Sequence, residues 1–416
     1  MTDMETLVES AKTGVVTPQM KAVADEEKIN ATQLCRRIAD GSAVIMQRGE
    51  RVVGIGCGLR TKVNVNLGTS NISVSPEEEV KKAQIAEKFG ADTISDLSMG
   101  GDIPAIRNEI FRQTTLPITT VPIYQTAAEV GLENMTAEDI LATIRQQAKE
   151  GVSSMVVHCI TNQALDLIKQ RKRIMGVVSK GGSITSVFMI HNECKNPFIE
   201  CFDELIAILK KYDIVLSLGN TARSGCIHDE RDQAHLEEIR QNVELARYAH
   251  QNGVQVIIEG AGGHIRFDRI AQHIRYYKEQ SRFPLFVAGP LPTDIALGYD
   301  HMAGCVGGSV ASAAGADYLC YITPAEHLGL PAPEHVKEGL IAFKIAAHIG
   351  DTVKYGMDEK DREIAFKRAN FDKVGQINCA FDGEKARQLS EVDDYCTMCG
   401  DFCAMKLMKH FLESEE

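Results

Sequence analysis

Three cysteines near the C-terminus, Cys396, Cys399 and Cys403, are the residues of this chain best suited to chemistry. Their Cys-x2-Cys-x3-Cys spacing puts three thiolates on one short loop. A structural zinc site takes four Cys or His ligands, and His410, seven residues on, is the nearest fourth. An electron-transfer iron–sulfur cluster uses four cysteines. Three thiolates without an obvious fourth fit a [4Fe–4S] cluster with one iron open to a small ligand. A structural zinc knuckle is the competing reading.

A second set of polar residues follows short apolar runs: Asn66, Asp96, Tyr124, Gln125, His158, Ser179, Asn220, Arg223 and Glu259. One such residue reads as a helix cap or turn former. Their recurrence at the same end of successive runs reads as a shared pocket. In Ser179-Lys180-Gly181-Gly182-Ser183 two glycines expose backbone N–H groups, the serines donate and a lysine adds charge. That combination suits a phosphate or other oxyanion, and Arg223 could grip the same anion bidentately. The bland alternatives are a glycine turn with an exposed lysine and a surface ion pair. His264 and His327 each follow an apolar run and lie near an acid, Glu259 and Glu326. They read either as ligands of a divalent metal, zinc or iron, or as hydrogen-bonded core histidines.

The elements that must position these residues are short β-rich runs separated by charged amphipathic segments. Runs at 62–66, 91–96, 117–123, 153–158, 174–178, 213–218, 254–259 and 284–288, with a ninth at 317–322, are apolar on both faces. Such strands between helices mean a parallel sheet. Eight or so units predict an α/β fold of the (β/α)8 TIM-barrel type, whose active site lies at the C-terminal ends of the strands. An open doubly wound sheet is the alternative. The predicted organisation is a helical appendage over 1–45, the barrel over 46–330, a helical segment over 331–379 and a cluster-binding tail over 380–416.

With 416 residues, 44% of them hydrophobic, and a formal net charge of −12, the composition is that of a globular protein. An acidic chain without a basic block is a poor match for nucleic acid or an anionic membrane. No apolar run approaches the roughly 18 residues of a membrane span, and the polar N-terminus has no signal pattern. The expectation is a cytoplasmic enzyme acting on a small molecule.

The motifs together make a resemblance visible. They include Lys62-Val63-Asn64-Val65-Asn66-Leu67-Gly68, Thr120-Val121-Pro122-Ile123-Tyr124-Gln125 and Val178-Ser179-Lys180-Gly181-Gly182-Ser183. Gly289-Pro290-Leu291-Pro292-Thr293-Asp294 and Thr323-Pro324-Ala325-Glu326-His327-Leu328-Gly329 follow, and the cysteine tail closes the set. From Thr61 onward the chain resembles the phosphomethylpyrimidine synthase family, noncanonical radical S-adenosylmethionine (SAM) enzymes of thiamin biosynthesis. The resemblance implies a barrel, a [4Fe–4S] cluster on Cys396, Cys399 and Cys403, and SAM at the open iron. It implies aminoimidazole ribonucleotide as substrate, an external electron donor and a homodimer. Asn66, Tyr124, His158, Ser179, Gly181, Arg223 and Glu259 become expected substrate contacts, with Lys180 and Asn220 at matching positions. Glu259 is also a candidate proton carrier, and His264 and His327 become ligands of a second metal.

The departures cluster on the pocket. Where the family has Asp-Gly-Leu-Arg this chain has Asn220-Thr221-Ala222-Arg223, and Glu259-Gly260-Ala261-Gly262-Gly263-His264 is one residue longer than the family's Glu-Gly-Pro-Gly-His. Ser95 replaces a methionine, Phe286 a tyrosine and Lys180 an arginine, and the cysteine spacing is one residue short. A changed pocket on the same starting material points to the family's paralogue that makes 5-hydroxybenzimidazole, the lower-ligand base of anaerobic cobamides. The thiamin activity on the same ribonucleotide is the alternative. Readings of other classes are a barrel with a structural zinc knuckle and a non-catalytic ribonucleotide-binding module.

Overall fold

The computed structural model describes residues 5–390 and 396–413. The chain forms two compact units, Met1–Lys354 and Tyr355–Glu416. The first is built on eight parallel strands: β3 (Lys62–Leu67), β4 (Thr93–Asp96), β5 (Ile118–Thr120), β6 (Ser154–Val157), β7 (Val215–Leu218), β8 (Val256–Glu259), β9 (Leu285–Ala288) and β10 (Tyr318–Cys320). They close in the order β10-β3-β4-β5-β6-β7-β8-β9. This is the (β/α)8 barrel that the alternation of apolar runs and amphipathic segments predicts. β4, β6 and β7 are buried along their whole length, as strands covered by helices outside and side chains inside must be.

One of the strand expectations needs correction. The run 174–178 is not a strand. It is a loop whose Ile174 and Met175 amides donate to the Asp229 carboxylate at 3.0 and 2.8 Å, and both side chains are exposed. An apolar run cannot pair where its backbone is already claimed by a side chain. The ninth run supplies the eighth strand instead.

The hairpin of β1 (Ala43–Arg48) and β2 (Arg51–Gly56) was not foreseen within the 1–45 and 46–330 segments. It follows three short helices, Leu7–Lys12, Pro18–Glu27 and Ala31–Ala39. Val44, Met46, Val53 and Ile55 join one apolar cluster with Val215, Ile257, Phe286 and Tyr318 from the barrel interior. Val215 opens β7 and Tyr318 opens β10, so the hairpin plugs the N-terminal mouth. Water is thereby kept from the barrel floor, and only the C-terminal mouth remains for a ligand.

The second unit carries helices Glu359–Ala369, Lys373–Cys379 and Gly383–Gln388, then the 3-10 turn Gly400–Phe402 and helix Ala404–Glu413. Among the described residues no helix is long and apolar enough to cross a membrane.

Candidate active site

At the C-terminal mouth a cavity of about 120 Å³ is lined by Asn66, Ser95, Tyr124, His158, Ser179, Asn220, Arg223, Glu259, Phe286 and Cys320, among others. Each of the eight strands, or the segment just after it, contributes a lining residue, and Ser179 is added from the loop ahead of helix Lys180–His191. The barrel register brings them together although they span more than half the sequence.

His158 follows β6 and is clamped between glycines. A Cβ at Gly181 would lie 2.5 Å from its ring, and one at Gly219 would lie 2.8 Å away. Only glycine lets both backbones approach the imidazole this closely. Asn196 Nδ2 donates to the His158 carbonyl at 2.8 Å. Burial, reinforced by the Arg223 charge, pushes the imidazole down to about 3. His158 is therefore neutral at physiological pH, and its Nδ1 has no hydrogen-bond partner.

Asn220 follows β7 and is 3% exposed, with neither its Oδ1 nor its Nδ2 partnered. Arg223 donates from Nη1 to the Asn220 carbonyl at 3.1 Å, and it is the only Lys or Arg lining this cavity among the described residues. Beneath this loop Glu238 accepts the Thr221 and Ala222 amides at 2.7 and 2.9 Å. Glu259 ends β8 and accepts from Ser217 Oγ at 3.0 Å. Its burial raises the carboxyl, offset in part by Ser217, Arg223 and the Asn220 backbone N–H.

Ser179 caps the helix Lys180–His191, accepting from the Gly182 amide at 3.1 Å. The expectation of a free glycine-rich loop is thus refined to a helix N-terminus, which favours anions. Burial raises the Tyr124 phenol to about 12 despite Arg223 and a hydrogen bond from the Gly181 amide. Lys180 Nζ lies 5.2 Å over the Tyr124 ring and lines an adjoining chamber, not the deep cavity.

Other strand-end residues are structural. Asp96 and Gln125 both engage buried Arg107, at 3.3 and 2.7 Å. Ser183 donates to the Val177 carbonyl at 3.3 Å. Cys320, which the sequence reading passed over, ends β10 and lines the cavity. Its Sγ accepts from Asn66 Nδ2 at 3.0 Å, and burial pushes the thiol up to about 12. Its position at the end of the last apolar run was the signal that could have found it.

An outer chamber of about 610 Å³ shares Asn66, Arg223 and Cys320 with the cavity and holds His264 and His327. Their ring centroids are 5.3 Å apart. His264 Nδ1 pairs with Asp294 at 2.6 Å and His327 Nδ1 with Asp300 at 3.0 Å. Carboxylates at Nδ1 fix the rings and leave each Nε2 as a ligand atom, the usual support for metal-binding histidines. The extra residue before His264 is absorbed by left-handed backbone at Ala261 (φ 49°) and Gly263 (φ 82°). The histidine still meets its counterpart.

In the second unit Cys396 and Cys399 are exposed, Cys403 is half-buried, and none is in a disulfide. The 3-10 turn is closed by Phe402 N–H to the Cys399 carbonyl at 3.1 Å. Cys403 accepts from Leu407 at the start of the following helix, at 3.0 Å. Three unpaired thiols on one turn form a donor set that fits a cluster with three protein ligands. The side chain of His410, the fourth ligand of the zinc reading, lies outside the described residues.

A model of the radical SAM ThiC family matches residues 6–410. Phosphomethylpyrimidine synthase from Desulfotalea psychrophila is 46% identical, the match covering 96% of each chain. The enzyme of that name from Archaeoglobus fulgidus is 44% identical over 99% of this chain and 100% of its own. That from Methanocaldococcus jannaschii is 44% identical over 97% and 99%. With a family match across nearly its whole length and relatives this similar end to end, the chain belongs to the radical SAM ThiC family, whose enzymes use a [4Fe–4S] cluster and SAM.

Proposed function

We propose that this chain is a radical SAM lyase that rebuilds the ribose carbons of aminoimidazole ribonucleotide into a new ring. The supporting observation is the deep cavity, where one guanidinium, a neutral imidazole, an unpartnered amide and a buried carboxylate converge at a barrel mouth. Arg223 and the N-terminus at Ser179 and Gly181 take the phosphate, with Lys180 adding charge from the adjoining chamber. His158, Asn220 and Asn66 orient the imidazole and ribose by hydrogen bonds. Tyr124 stays protonated and donates. Glu259, with its raised carboxyl, holds or accepts a proton beside the ribonucleotide. Phe286 and Val156 exclude water.

Cys396, Cys399 and Cys403, within the proposed cluster-binding stretch 380–416, would hold the cluster. The cluster and SAM, when bound and reduced by an external donor, supply a radical that takes hydrogen from the substrate. His264 and His327 would hold a divalent ion, zinc or iron. The reading also takes over a homodimer from the resemblance.

For the product, the relatives' name favours the hydroxymethylpyrimidine phosphate of thiamin biosynthesis. A second reading, 5-hydroxybenzimidazole, is favoured by Asn220. It is a buried amide with both atoms unpartnered, where the family pattern has a carboxylate. Phe286, stacked on Tyr318 at 4.0 Å, offers a ring without a hydroxyl and points the same way. Reconstituted enzyme incubated with the ribonucleotide, SAM and a reductant gives a product whose mass and fluorescence separate the two. Recovery of neither product removes the proposal.

A further inference from the structure

Beside the outer chamber lies a cluster of which the reading above uses only Asp294, and which deepens that reading. Cys226, His228 and Asp294 each offer one ligand atom, and the three atoms lie within 4.8 Å of one another. The loop that carries Cys226 and His228 is tied to Asp294, which lies on the loop after β9. Ile227 N–H, between the first two, donates to Asp294 Oδ1 and Oδ2 at 3.3 and 3.1 Å. Asp229 N–H closes a turn on the Cys226 carbonyl at 3.1 Å. The segment 226–228 is thus wrapped around the Asp294 carboxylate before any ligand arrives. Cys226 is buried and lines the chamber together with Asp294, and its thiol faces the Asp229 carboxylate.

We propose that Cys226, His228 and Asp294 form a zinc-type divalent-cation site with one position open to the chamber. A mixed sulfur, nitrogen and oxygen set suits a borderline-soft cation, whereas hard cations such as Mg²⁺ take oxygen alone. Tetrahedral zinc needs ligand atoms roughly 3.5 Å apart. The exposed His228 has the freedom to close that distance while the buried Cys226 and the anchored loop stay in place. Binding forms a metal–sulfur bond and releases the thiol proton to solvent. The site is separate from the His264–His327 pair, but the two share Asp294, whose Oδ1 holds His264 Nδ1 at 2.6 Å. An ion on Cys226 therefore acts on the carboxylate that orients His264.

The test is zinc content and zinc-edge X-ray absorption of anaerobically purified, cluster-loaded enzyme, with iron and sulfide counted in the same sample so that the other thiolate cluster is accounted for. Wild type should retain one more zinc per chain than Cys226→Ser or His228→Ala. Its zinc should show a sulfur neighbour at about 2.3 Å that is lost in Cys226→Ser and kept in His264→Ala. His228 lies on the surface, so its variant keeps the test open if the buried one fails to fold. Equal zinc in wild type and His228→Ala, or a zinc shell without sulfur, overturns the proposal.

Discussion

Asn220 and His158 hold unanswered hydrogen-bonding capacity in the deep cavity. A buried unsatisfied polar group costs about 1–3 kcal/mol, so a ligand that answers these atoms recovers that energy on binding. Asn220→Asp replaces a neutral donor–acceptor by a charge beside Arg223. It should change the product ratio or lower turnover at least about tenfold, read by product analysis. Unchanged rate and product would remove this position from the specificity argument. At this scale residue type and position after an apolar run pointed to Asn66, Tyr124, His158, Ser179, Asn220, Arg223 and Glu259, all on one cavity, although the run before Ser179 is not a strand. The same rule also selected Asp96 and Gln125, which serve Arg107 instead. A polar residue at a strand end can face the mouth or the helix layer, and only the packing decides which.

The loops, more than the strands, set the geometry of the pocket. The Gly181 backbone touches the His158 ring, so Gly181→Ala must displace the imidazole. Overpacking of this kind costs about 1–3 kcal/mol. Ribonucleotide affinity should fall about tenfold or more by calorimetry, with the melting temperature as a control for folding. Glu238 supports the next loop. Burial pushes its carboxyl up to about 7 from an ordinary 4.5, although two backbone amides and Arg223 pull the other way. Between those values the folded chain keeps a proton that the unfolded chain releases. Stability should therefore fall as pH rises from about 4.5 to about 7. Glu238→Gln cannot titrate, so its urea midpoint should lose this component of pH dependence between pH 5 and pH 8. An identical dependence in both proteins would place the proton elsewhere. Periodicity made the barrel strands legible because each is a buried run between helices. It misled at 174–178, where Asp229 takes the backbone amides. It passed over β1 and β2, whose cluster partners at Val215, Ile257 and Tyr318 are distant in sequence.

Across the whole molecule, the pocket lies in the barrel unit and the closely spaced thiols of Cys396, Cys399 and Cys403 lie in the other. Cys396→Ser, Cys399→Ser and Cys403→Ser should each lose most of the bound iron and sulfide and all turnover, measured by elemental analysis. Full iron content in any one of them would move the cluster to other residues. The central claim is that this chain turns over aminoimidazole ribonucleotide by reductive SAM cleavage. The most direct measurement is anaerobic formation of 5′-deoxyadenosine from SAM by cluster-loaded enzyme, with and without the ribonucleotide. The account predicts 5′-deoxyadenosine that depends on the ribonucleotide and matches its consumption, with hydroxymethylpyrimidine phosphate or 5-hydroxybenzimidazole formed. Ribonucleotide recovered intact, with no 5′-deoxyadenosine above the substrate-free control, would contradict it.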